Sequence, residues 1–325
     1  MKKKCVICGN SDLQKITSTE MMFGTGIDYN YNYCNICDSI QYDDKVGVQK
    51  DYPENYYAFR ETKITLYEKF RFSLYCYSVK GVLNKLFFLN NFAANLFDDK
   101  SAYAVKGIIE VSNSILDIGC GNGDLIRAFS KIYKNKYFVG VDPFIAKSVN
   151  ISGNCQIIRQ DILDHDNLYD LILLNHSFEH MDNPHEVLNK LKEILNPGGV
   201  ICMRIPVCDS LFFKKYGINW AQFDAPRHKI IYSNKALNII LNNLGFRIFE
   251  SYSDSKLFSY IASEMYKNNI SLIDNRSYYK NRIRQFFRMS YYEKRNVGKG
   301  LIKRLNSMNF GDQRLYVIMI DNSKF

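Results

Sequence analysis

Residues 114–125, SILDIGCGNGDL, hold the stretch whose reading decides the fold. Ser114–Ile118 is a short apolar run broken by one carboxylate, Asp117. Glycines follow at 119, 121 and 123, and then DLIRAFSKIYK (124–134) carries apolar residues at helical spacing. A buried strand, a glycine turn and a helix open a doubly wound sheet. The same alternation continues outward. KYFVGVD (136–142), CQIIRQDI (155–162), YDLILLNHS (169–177) and VICMRIP (200–206) read as further strands. PHEVLNKLKEIL (184–195) is a helix closed by Pro197-Gly198-Gly199, and GFRIFESYS (245–253) and RLYVIMID (314–321) supply the last two strands. Apolar, β-branched strands alternating with helices predict an α/β fold: a Rossmann-like, doubly wound, mostly parallel seven-stranded sheet. Ligands of such sheets sit at the carboxyl ends of the strands.

The glycines read G-x-G-x-G, whereas a dinucleotide fingerprint needs a glycine at position 124, which is Asp124 here. A diphosphate seeks the bare positive end of a helix, and a carboxylate there repels it. A cationic, phosphate-free nucleoside meets no such repulsion. S-adenosylmethionine, a sulfonium with an ammonium group and a ribose, fits, and Asp142 at the end of the next strand is placed for the ribose hydroxyls. With these residues on the page, the chain resembles the class I S-adenosylmethionine-dependent methyltransferases. LDIGCGNGD, VGVDP, RQDI, LLNHSFEHM and LNPGGVICMRIP look like that family's motifs in order, over about residues 113–255. The resemblance implies Asp117, Gly119 and Gly121 around the methionine part of the cofactor, with Cys120 and Gly123 of the same loop. It further implies Asp142 on the ribose, Asp161 and Ile162 near the adenine, and Asn175 lining the pocket.

Ahead of this core stand Cys5-x2-Cys8 and Cys34-x2-Cys37, a spacing that turns four thiolates toward one tetrahedral ion. A structural Zn2+ is expected, in a zinc-ribbon-like unit over 1–45; with four sulfur ligands no position stays open for chemistry. A helical connector follows over 46–112, with DYPENYYAF (51–59) and VLNKLFFLNNFAANLF (82–97), and its apolar face is expected to pack on the neighbouring core, substrate cover or membrane contact being the sharper reading. The core spans 113–255, with a substrate-covering insertion over 208–230 that contains most of WAQFDAPRHKIIYS (220–233). A basic, aromatic helical insertion occupies 256–311, and 312–325 holds the last strand.

The cysteine pairs, YPENYY and the insertion are similar to bacterial methyltransferases of sugar and polysaccharide pathways. That implies a sugar, nucleotide-sugar or glycan acceptor, with O-methylation preferred over C- or N-methylation. A sugar hydroxyl is a weak nucleophile and needs a base. Histidine suits the task, its unperturbed pKa being about 6.5. His176 and His180 after the fourth strand and His228 in the insertion are the candidates, His228 first because the insertion faces the acceptor. Glu179, Asp224 and Arg227 could orient the base or bind an acidic substrate.

With 325 residues, 46% hydrophobic and 14% aromatic, the chain can bury a sizeable core. Its apolar runs, such as Leu171–Leu174 and Tyr316–Ile320, are too short to span a bilayer, and Gly9-Asn10-Ser11-Asp12 stands where a secretion signal needs apolar residues. A cytoplasmic location is expected, with the inner face of a membrane as the variant. The net charge of +10 is concentrated in 256–306, where twelve Lys or Arg face three acids, and SYYKNRIRQFFRMSYYEKR (277–295) interleaves cations with aromatics. Such a segment suits nucleotide-sugar phosphates, an anionic glycan, lipid headgroups or nucleic acid. An RNA methyltransferase is therefore a second reading, opposed by Asn175-His176-Ser177-Phe178 where base-amine enzymes resemble Asn-Pro-Pro-Tyr. A non-catalytic binding protein of this fold is a third.

Overall fold

Short polar–apolar alternation at the start of the chain builds a small antiparallel meander. In the computed structural model, which describes residues 3–43, 105–280 and 299–321 with residues 72, 73, 76 and 323, these strands are β1 (Leu13–Thr19), β2 (Asp28–Cys34) and β3 (Ile40–Tyr42). β1 pairs with β2 from Leu13↔Cys34 to Thr19↔Asp28. Glu20 closes the reversal, its carboxylate accepting from the backbone N–H groups of Phe23 (2.8 Å) and Thr25 (3.0 Å). Most of the connector expected over 46–112 lies outside the described residues. Its end is a helix, α1 (Lys106–Val111), that buries Ile109.

The core sheet then forms from β4 (Ser114–Ile118), β5 (Tyr137–Val141), β6 (Val149–Ser152), β7 (Cys155–Ile158), β8 (Tyr169–Asn175), β9 (Leu195–Pro206), β11 (Phe246–Ser253) and β12 (Gln313–Ile320), the two-residue β10 (Ile230–Ile231) lying elsewhere. The order across the sheet is β11-β12-β9-β8-β4-β5-β7-β6. β4 pairs in parallel with β5 and β8, as do β5 with β7 and β8 with β9, while β12 runs antiparallel to β9 and β11. The expected Rossmann-like seven-stranded sheet is present. The chain winds outward from β4 in one direction and restarts at β8 in the other, so the switch point lies between β4 and β8.

Alternate residues of these strands feed two cores. Leu116, Ile118, Val139, Ile172 and Leu174 pack with Leu188 and Leu191 of α3 (Pro184–Glu193) and Leu237 and Ile240 of α5 (Asn234–Asn243). Ile115, Phe138, Leu171 and Leu173 pack on the other face with Ile126 and Phe129 of α2 (Asp124–Ile132). Burial on both faces is why the strands read as continuous apolar runs.

Two local features differ from the expectation. β6 is an eighth, edge strand, antiparallel to β7, whose four residues are too short to show a period. Pro197-Gly198-Gly199 does not close the helix: α3 ends at Glu193, and the Pro-Gly-Gly lies inside β9, where the pairing slips between Tyr169↔Leu195 and Leu171↔Val200.

β10, from the insertion after β9, pairs with β3, so the N-terminal meander is a four-stranded sheet, β1-β2-β3-β10, completed by the core. A third apolar cluster joins Tyr31 and Ile40 of that sheet to Phe212 and Tyr216 of α4 (Leu211–Tyr216), Trp220, Met265 of α6 (Leu257–Lys267), and Ile302 and Leu305 of α7 (Lys299–Ser307). The Trp220 indole N–H donates to Asp312 at 2.8 Å. The segments expected over 1–45, 208–230 and 256–311 thus share one core. Residues 281–298, most of the basic aromatic stretch, lie outside the described residues. No helix among the described residues is long and apolar enough to cross a membrane.

Candidate functional site

At the carboxyl end of β4 the chain needs a turn that no side chain tolerates. Gly119 has φ +71°, and a Cβ there would stand 2.5 Å from the Ser177 Cβ. Gly123, at φ +72°, starts α2. The turn brings the Gly121 N–H to 3.0 Å from Asp142 Oδ2, while Phe144 N–H donates to Oδ1 at 2.8 Å. Asp142 is thus held at the tip of β5 by two backbone donors, and burial raises its pKa from the ordinary carboxylate value.

A cavity of about 750 Å3 opens beside this turn, the size of a nucleoside-cofactor site. Gly119, Cys120, Gly121, Asp142, Asp161, Ile162 and Asn175 line it; Asp117 and Gly123 do not. Asp117 is a buried residue within β4, paired across to Gly140 and Leu173, and sits beneath the turn. Asp161 accepts from Leu163 N–H at 2.9 Å and starts the 3-10 turn Ile162–Asp164. Asn175 ends β8 and accepts from Arg204 at 3.3 Å.

His176, His180 and His228 also line the cavity, with Gln222, Asp224 and Gln313. The three rings differ in what holds them. With the Gln313 amide turned so that its oxygen faces Arg204, His176 Nε2 lies 2.8 Å from that oxygen, and Nδ1 lies 3.1 Å from Glu179 Oε1. Both nitrogens of His176 therefore face acceptors. His180 Nδ1 lies 2.8 Å from the Arg227 carbonyl, and His228 Nδ1 lies 2.9 Å from the Gln222 carbonyl. A ring nitrogen facing a carbonyl carries a proton, so the contact selects the Nδ1–H tautomer of each ring. Burial, reinforced by the adjacent His180, pushes His228 down to about 4, so its ring is neutral near pH 7.

Glu179, between these histidines, is fully buried. Burial works to raise its pKa, but the hydrogen bond with His176 and the charges of His176, His180 and His228 outweigh it, leaving the group at about 2. No donor among the described residues reaches its Oε2. Behind His228, Arg227 Nε lies 3.0 Å from Asp224 Oδ2, and Nη2 lies 2.9 Å from Glu20 Oε1. Arg227 also lies 4.9 Å over the Phe23 ring. It ties the N-terminal hairpin to the insertion rather than opening into the pocket. Asp224 sits in the left-handed region at φ +42° and lines the cavity. The sequence reading missed Glu20 and Gln313, for only the fold brings them to Arg227, Arg204 and His176.

At the other end of the N-terminal sheet, Cys5 and Cys37 sulfurs lie 3.5 Å apart, as do Cys8 and Cys34, and all four lie within 4.8 Å of one another. The two Cys-x2-Cys turns repeat one another. Gly9 N–H donates to the Cys5 carbonyl and Asp38 N–H to that of Cys34, and Gly9 (φ +73°) and Asp38 (φ +61°) are both left-handed. Four sulfurs about 2.3 Å from one zinc stand about 3.8 Å apart, so the cluster fits a tetrahedral ion.

The family model for a methyltransferase domain matches residues 88–251, half of the chain, and the chain belongs to that family. It is similar to (S)-coclaurine N-methyltransferase of Thalictrum flavum subsp. glaucum, 29% identical over 124 residues, which are 35% of this chain and 34% of that one. It is also similar to malonyl-[acyl-carrier protein] O-methyltransferase of Halalkalibacterium halodurans, 32% identical over 100 residues, 27% of this chain and 37% of the other. The chain spans about a third of the length of these curated relatives. A solved SAM-dependent methyltransferase from Archaeoglobus fulgidus aligns at 21% identity and a TM-score of 0.40, covering 66% of this chain and 90% of that one.

Proposed function

We propose that this protein is an S-adenosylmethionine-dependent methyltransferase acting on a sugar, nucleotide-sugar or glycan, most readily at oxygen, in cytoplasmic polysaccharide or cell-surface biosynthesis. One observation carries the reading. A single cavity is lined both by the glycine turn and Asp142, taken here as the cofactor wall, and by His180 and His228, taken as the acceptor wall. The first wall fits the cofactor: Gly119 permits the left-handed turn packed against Ser177, and the Asp142 carboxylate, its backbone donors each using one lone pair, still has acceptor capacity for ribose hydroxyls. Asp161, Ile162, Asn175 and Cys120 would hold the rest. The bound cofactor supplies an electrophilic methyl carbon.

The remaining work belongs to the protein. The acceptor must be held against the methyl-bearing end and must lose its proton as it reacts. His228 is the favoured base. The residue lines the cavity, and the Gln222 carbonyl fixes the tautomer of its neutral ring with the lone pair on Nε2. His180 likewise sets Nδ1 against a backbone carbonyl, whereas His176, engaged at both nitrogens, positions Glu179. Zinc in the cysteine cluster would be structural. The nine cysteines form no disulfide among the described residues, which supports a reducing compartment.

The reading is tested by incubating the chain with methyl-labelled S-adenosylmethionine and a panel of nucleotide-sugars and glycans. Label is expected in a sugar acceptor, with His228→Ala lowering turnover and leaving cofactor affinity unchanged. Label in RNA but in no sugar would replace the acceptor class. No cofactor binding by calorimetry would end the enzyme reading altogether.

A further inference from the structure

Glu179, His180 and His228 form an arrangement that a histidine base alone does not explain. Their ligand atoms lie within 4.8 Å of one another. A base–carboxylate pair would share a proton across about 2.8 Å, yet His228 Nε2 stands 3.9 Å from Glu179 Oε1, beyond hydrogen-bond reach. Both rings give Nδ1–H to a backbone carbonyl, which leaves Nε2 as the nitrogen that could ligate an ion. Glu179 is an acceptor only, and its Oε2 is buried with no donor among the described residues. Two imidazoles and a carboxylate with an unpartnered oxygen, three groups able to give an electron pair, are thus gathered in one place.

We infer that Glu179, His180 and His228 bind a divalent first-row transition-metal ion at the wall of the cavity, with open positions facing the acceptor. Two histidines and one carboxylate are a recurrent set for such ions. Carbonyl contacts at the far ring nitrogen are the usual outer-shell support of a metal-bound histidine. Donors about 2.1 Å from one ion stand about 3–4 Å apart, so the three side chains close on a cation with shifts of about an ångström or less. His228 approaches from the insertion, whereas Glu179 and His180 follow β8, so the ion would pin the insertion to the core. Bound to an acceptor oxygen, it would lower that group's pKa, which removes the need for a free base. The assignment of that oxygen to a methyl acceptor rests on the methyltransferase reading; the metal site does not.

The test uses the full chain, dialysed briefly against EDTA so that zinc remains only in the cysteine cluster, and titrated with Co2+ in the absence of cofactor. The expected result is uptake of one further ion per chain, with visible bands of nitrogen and oxygen ligation and no sulfur-to-cobalt charge transfer. Glu179→Gln and His228→Ala should each weaken uptake by more than about tenfold, the cost typical of losing even an outer-shell partner. No uptake by the wild-type chain at millimolar Co2+, or uptake unchanged in both variants, would overturn the inference without reference to how the variants fold. S-adenosylmethionine binding, measured calorimetrically on the same sample, reports separately: cofactor binding without Co2+ removes only the ion, and Co2+ binding without cofactor supports the ion while removing the methyltransferase reading.

Discussion

Asp142 and Gly119 carry the cofactor wall, and each invites a single substitution. Asp142 meets two backbone donors with two carboxylate oxygens, whereas asparagine offers one oxygen and turns an NH2 toward the other donor. Asp142→Asn should cost about 1–3 kcal/mol of stability for the unmatched buried donor. It should also weaken S-adenosylmethionine binding, read by denaturant titration and calorimetry respectively. Gly119→Ala forces a left-handed alanine against Ser177, a strain of about 1–3 kcal/mol. The expected outcome is weaker cofactor binding, because the turn itself must move. These positions were legible in the sequence, since G-x-G-x-G and the acid after the next strand are short-range patterns. Glu20 was not. Its partner Arg227 lies 207 positions away, and nothing near Glu20 marks it as buried. Arg227→Met leaves Glu20 and Asp224 as buried carboxylates without their cation, and a loss of about 3–5 kcal/mol is expected in denaturant unfolding.

At the scale of elements, strands β4, β8 and β9 start from one acidic anchor. Asp170 accepts from the N–H groups of Asn113 (2.7 Å) and Ser114 (3.1 Å) and from the Asn196 amide (2.7 Å). Partial burial works to raise its pKa, but these donors outweigh it and the carboxyl lies below its ordinary value. Its stabilising contribution is therefore present above the unfolded pKa of about 3.9 and is lost as pH falls through the lower folded value. Asp170→Asn should lower stability near pH 7 and flatten its fall below about pH 4, as read by denaturant unfolding across that range. The central strands β4, β5, β8 and β9 were readable because burial on both faces leaves long apolar runs. β6 was not, being four residues at an edge, and β10 was not, because its two residues form a strand only by meeting β3.

For the whole molecule, the sequence suggested a string of units, whereas the chain folds back on itself. The cysteine cluster closes the sheet that β10 completes, and Tyr31 of that sheet donates its hydroxyl to the His228 carbonyl at 3.1 Å. Loss of zinc should therefore reach the acceptor wall without touching the cofactor wall. Cys34→Ser, or prolonged chelation, is expected to lower the melting temperature and methyl-transfer turnover together while cofactor affinity stays near its starting value. Equal loss of both would place the cofactor wall under the same control. The most direct measurement is a crystal structure of the chain with S-adenosylhomocysteine. The expected result is density in the cavity with the ribose hydroxyls on Asp142, the adenine beside Asp161 and Ile162, and the thioether turned toward His180 and His228. A cavity left empty at saturating ligand, or a ligand bound away from the glycine turn, would contradict the assignment of this pocket.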